Sequence, residues 1–104
     1  MYIIRWHKQE APQEHDLCRQ MQEQGLVPYS WSNSPGERYT VHSHNYQKVL
    51  YCVRGSIRFI LPDVEGDAGM LNLAPGDCMT LPAYTRHSAE VGPQGVTCFE
   101  AAQH

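Results

Sequence analysis

After Pro28, glycine and proline cut the chain into short runs rich in β-branched and aromatic residues. YTVHSHNY alternates as a strand does, and KVLYCV is a fuller apolar run closed by Arg54 and Gly55. SIRFIL sets Ile57, Phe59 and Leu61 on one face and Arg58 on the other. PDVEGDAG reads as a polar hairpin loop, MLNLA as a short strand and PGD as a turn. CMTLP, HSAEVG and VTCFEAA complete the series. Many short strands at close spacing, with turn residues between them, predict an all-β barrel or sandwich.

The segment before Pro28 has a different texture. YIIRW suits a short strand, and a helix over about residues 13–24 follows Pro12. Leu17, Cys18 and Met21 share one side of that helix, and Glu14 and Asp16 lie in its first turn, where acids suit the dipole. Gly25 is a C-terminal stop and Pro28 forbids much continuation. A chain of 104 residues supports one domain, taken here as residues 1–104, with an adequate core.

Eight Lys plus Arg in no basic run, and a net charge of -3, argue against a nucleic-acid partner. No apolar run approaches a membrane span and MYIIRWHKQE lacks a signal-peptide pattern, so a cytoplasmic protein is expected. The cysteines, Cys18, Cys52, Cys78 and Cys98, form no CxxC pair. They read as reduced and mostly buried thiols, with one of them lining a pocket as the sharper alternative. No GxGxxG, P-loop or GxSxG pattern is present.

His42 and His44 stand one residue apart in YTVHSHNY. On a strand both would point the same way, together with Tyr46, and aim two imidazoles at one spot. Imidazole suits borderline divalent metals, and His87, just after Pro82 in LPAYTRHSAEV, is the obvious third ligand. Zinc, iron, nickel, manganese and copper all fit such a donor set. An HxH pair alone is weak evidence and also occurs as surface histidines. His7, His15 and His104 lie outside the pattern.

Gly36, five residues, His42-Ser43-His44, three residues, Lys48, six residues and Gly55 resemble the first motif of the cupin family. Gly76, five residues, Pro82 and His87 resemble the second. The likeness covers residues 36–92. It implies a double-stranded β-helix, or jelly-roll barrel, here with one short N-terminal helix. It also implies a divalent metal on His42, His44, position 48 and His87. Three departures stand out: the first-motif carboxylate is Lys48, a usual glycine is Tyr84, and a terminal asparagine is Val91. Tyr84 implies either a rearranged turn or a ring leaning toward the barrel mouth.

An ammonium is not a metal ligand, and a nearby dication would lower its pKa. Lys48 can stand beside a three-histidine metal, as an anion clamp or an acid or base. It can bind an organic anion in a site without metal. It can also turn outward or pair with an internal acid. Lys48 and Tyr46 are the candidate catalytic residues. Cys52 has the parity of Lys48, while Arg54 and Arg86 read as solvated. Phe59, Met79, Leu81, Leu71 and Leu73 read as core or cavity wall, and Trp31 and Tyr29 as a barrel lid or dimer face. Three functions compete. The first is a metal-dependent enzyme acting on a small anionic molecule. The second is a non-catalytic binding or sensing module, and the third a structural protein with a vestigial site. A short chain with an open barrel mouth also suggests a homodimer.

Overall fold

The structure, a computed structural model, describes residues 2–104. Two long strands carry it: β4 (Gln47–Ile60) and β7 (His87–Gln103), paired antiparallel along nearly their whole length. Five short strands complete the sheet around them: β1 (Tyr2–Ile4), β2 (Tyr29–Asn33), β3 (Arg38–His42), β5 (Met70–Leu73) and β6 (Cys78–Leu81). On the far edge of β4, β6 pairs with residues 48–51 and β5 with residues 57–60. On the far edge of β7, β3 pairs near His87 and β2 near Glu100. β1 extends the sheet beyond β6.

The sequence suggested separate strands on either side of Arg54-Gly55, and again between HSAEVG and VTCFEAA. In the structure both breaks lie inside a continuous strand. The β4–β7 register slips between Cys52 and Arg54 and between Gly55 and Ile57, so the glycines mark bulges and not chain reversals. The net effect of the bend is one change of parity. Lys48, Leu50 and Cys52 face inward before it, and Ile57 and Phe59 face inward after it. The sheet thereby folds over one apolar cluster that includes Leu50, Phe59, Met79, Leu81, Val91 and Cys98.

The expected closed jelly-roll barrel is not formed. The strand order β1-β6-β4-β7-β2 has two free ends, with β3 and β5 branching from β7 and β4, and no pairing among the described residues joins these edges. Barrel closure needs edge-to-edge hydrogen bonds. Apart from β1 with β6, no two of the short strands pair among the described residues.

The helix α1 (Glu14–Glu23) follows Pro12 and ends at Gly25, whose φ of 82° admits the left-handed turn. The Leu26 amide closes that turn on the Met21 carbonyl at 3.0 Å. Leu17 and Met21 are buried, and Met21 packs with Val49, Cys78 and Ala101 on the outer face of the sheet. The helix therefore covers the face opposite the inner cluster. The hairpin expected in PDVEGDAG contains a short 3-10 turn, Gly66–Gly69.

Gly55 tests the bend. Its φ is 76°, and a Cβ there would drive into the carbonyl of Gly95 on β7. Gly55→Ala is expected to destabilise the protein by about 2 kcal/mol or more. Urea unfolding measures it, and a loss below about 0.5 kcal/mol would show that the bend relaxes freely.

Candidate metal centre

β3 delivers the first histidine. Its register slips between Tyr39 and His42, and the slip sets His42 directly opposite His87 at the start of β7. Their ring centroids lie 4.4 Å apart. The chain leaves the strand immediately after His42, so His44 sits in the β3–β4 loop and not on a strand face. Its ring still turns toward the pair, 4.9 Å from His42 and 5.4 Å from His87. One ring nitrogen from each of the three lies within 4.8 Å of the others. The alternation expected of an HxH strand is thus replaced by a strand end and a loop.

Two tautomers are fixed by local geometry. Nδ1 of His42 is 2.7 Å from the Thr40 carbonyl, and Nδ1 of His87 is 2.8 Å from that of Thr85. A carbonyl only accepts, so each Nδ1 carries the proton and each Nε2 keeps its lone pair. Nε2 of His44 and Nε2 of His87 are buried without a hydrogen-bond partner. Leaving such groups unpaired is costly, and a divalent ion would satisfy them. The donor set therefore fits a metal: three neutral imidazoles, His87 buried and His42 exposed, with an open side for a further ligand. Burial, then the charge of Lys48, lowers the pKa of both His44 and His87, bringing His87 to about 4. Lone pairs stay available well below neutrality.

The loop holding His44 is braced by Tyr84. This is the one non-glycine residue with positive φ among those described, at 65°. The tyrosine thus keeps a glycine-like backbone, and its ring points into solvent. Its amide donates to the His44 carbonyl at 2.7 Å. Tyr46 stacks on the other side of His44, at 4.9 Å and 25° between planes, and His104 lies 5.8 Å beyond Tyr46. Tyr46 does not line the cavity beside the histidines; it reaches the centre through the His44 ring.

That cavity has a volume of about 280 Å³. His42 and His87 form one part of its wall; Tyr29, Trp31, Tyr39 and Phe59 make it largely aromatic. Lys48 is buried and faces this space. It does not turn outward: its Nζ lies 3.4 Å from Oε1 of Glu100. Glu100 also accepts from the Tyr29 hydroxyl at 2.6 Å and from Trp31 Nε1 at 3.2 Å. Sequence reasoning missed Glu100. Its only signal was an acid in VTCFEAA with the parity of the buried Val96 and Cys98.

The remaining candidates separate cleanly. Arg54 pairs with Glu14 and Arg86 with Asp63, both at the surface. Met79, Leu81 and Leu73 belong to the inner core. Cys52, Cys78 and Cys98 are buried free thiols, and no cysteine lines the cavity. No helix among the described residues is long and apolar enough to cross a membrane.

No family model and no curated protein matches the chain. Solved structures do. A cupin superfamily protein from Desulfitobacterium hafniense aligns with a TM-score of 0.61 at 16% identity, over 74% of this chain and 65% of its own. An RmlC-like cupin from Shewanella frigidimarina gives 0.61 at 23% identity, over 74% and 64%. The chain has the cupin fold. The DMSP lyase DddQ from Ruegeria pomeroyi shares this cupin core with a TM-score of 0.65 at 18% identity, over 76% of this chain but only 38% of the lyase.

Protonation of His87 predicts an acid-labile metal-free state. Its pKa is 6.5 in an ordinary setting and about 4 in the fold, so between these values the unfolded chain binds the extra proton. Stability then falls as pH drops from 6.5 toward 4. Urea midpoints of chelator-treated protein across this window should decline more steeply for the wild type than for His87→Asn; parallel curves would refute it.

Proposed function

We propose that this chain is a single-domain cupin that holds one divalent metal ion on His42, His44 and His87 and acts on a small anionic molecule in the adjoining cavity. One observation carries the reading: three imidazoles converge, and two of them present buried, unpartnered Nε2 atoms. The bound ion would supply Lewis-acid polarisation of an oxygen on the substrate. Lys48 is assigned to hold the anion, with N–H donors beyond the one directed at Glu100. The aromatic wall of Tyr29, Trp31, Tyr39 and Phe59 offers apolar surface to the body of the bound molecule. Tyr46 is assigned to orient His44 by stacking, its hydroxyl kept protonated by burial and by Glu100. The likeness to a fold that DddQ uses as a DMSP lyase supports lyase chemistry as the first class to test.

A second reading, a non-catalytic binding or sensing module, has one observation in its favour. Lys48 is already paired with Glu100, which leaves the cavity without a free acid or base of obvious role. Turnover of a carboxylate panel by metal-loaded protein separates the two. In either reading the protein is a cytoplasmic homodimer without nucleic-acid partners, and light scattering of the purified chain should return twice the mass of 11.8 kDa.

Elemental analysis of protein purified without chelator tests the centre. About one equivalent of divalent metal per chain is expected, reduced at least ~10-fold by His44→Ala. Absence of metal from the wild type, even after incubation with zinc, cobalt and iron salts, would refute the proposal.

A further inference from the structure

We propose that Glu100 sets the charge of the ligand: the cavity admits singly charged carboxylates and turns away dianions. This deepens, and rests on, the three-histidine reading above. The Glu100 carboxylate faces the same space as His42, His87 and Lys48. Lys48 and Glu100 side chains are 8% and 7% exposed, so solvent screens neither. The carboxylate is also fixed in place. Tyr29 and Trp31 on β2 donate to Oε2 and Oε1, and Lys48 on β4 approaches Oε1 from the opposite side. Swinging Glu100 away would strand all three donors.

The charge count follows from the wall. Apart from the ion's own two positive charges, which the first anionic group meets, Lys48 is the only lysine or arginine lining the cavity among the described residues, and Glu100 pairs with it. A first anionic group on a ligand finds the metal and the spare N–H donors of Lys48. A second one finds no further lysine or arginine among the described residues, and it shares a small space with the Glu100 carboxylate, which three donors hold. Two carboxylates confined to one cavity of about 280 Å³ repel each other. The other polar wall groups carry no fixed positive charge: Asn33 donates to the Tyr39 hydroxyl, and Ser32 is engaged with Thr97 at 2.8 Å. Glu100 is in this sense a specificity-determining residue.

Butyrate and succinate test the idea, because they share a four-carbon chain and differ by one carboxylate. Each is titrated into cobalt(II)-loaded protein at neutral pH, with the visible spectrum of the ion reporting binding. Wild type should bind butyrate at least ~10-fold more tightly than succinate. Glu100→Gln should narrow that ratio to within ~3-fold while bound cobalt per chain stays unchanged. Equal affinities in the wild type, or binding of neither anion, overturn the inference. So does a folded Glu100→Gln protein with the wild-type ratio. Should that variant fail to fold because it strands Lys48, Glu100→Gln combined with Lys48→Gln takes its place, and the wild-type ratio in that protein overturns the inference. Cobalt stoichiometry is measured first, so a chain that takes up no metal refutes the centre itself and is distinguished from a loaded chain that fails to discriminate.

Discussion

Everything in this fold depends on the pairing of β4 with β7. Each strand is long enough to serve two half-sheets, and each bends where glycine permits it. Gly55 and Gly95 lie against each other at the bend, so close that neither strand has room for a side chain at Gly55. The bend brings Phe59 and Ala89 back over Leu50 and Cys98, which creates the inner apolar cluster. It also places the start of β7, with His87, beside the cavity to which Lys48 and Glu100 belong. A local backbone constraint thus builds core and site together.

Much of this was legible in the residues, and the failures have physical causes. Alternation and turn chemistry located the β segments, and helix capping logic placed α1 within a residue or two. The strand count was wrong because Gly55 and the Gly92–Gly95 stretch signal a bulge as readily as a turn, and only the partner strand decides between them. The barrel expectation failed for a related reason. Closure depends on hydrogen bonds between edges distant in sequence, which no local pattern encodes. At the site, the three histidines stood out through their spacing from Gly36, Pro82 and Gly76. Glu100 did not, because an internal acid is recognisable only once its partner Lys48 is known to face it.

The replacement of a carboxylate by Lys48 first looks like damage to a metal site. With Glu100 in view it becomes an exchange of charges. A buried ammonium alone would be expensive, and a buried carboxylate alone equally so. Together, with Tyr29 and Trp31 satisfying the carboxylate, they form a neutral polar wall beside three neutral imidazoles. The arrangement carries its negative charge on Glu100, which lines the cavity together with Tyr29, Trp31 and Lys48.

β3 is exposed along its whole length and has one neighbour, β7. Such an edge frays far more often than the sheet behind it. His42 sits on its last residue and His44 in the loop just beyond, so two of the three converging imidazoles ride on the most weakly held strand near the centre. Uptake and release of an ion would then follow the opening of one short strand and not unfolding of the domain. Exchange can be fast in a protein that is globally stable, and each captured ion would in turn fasten the edge that delivered it.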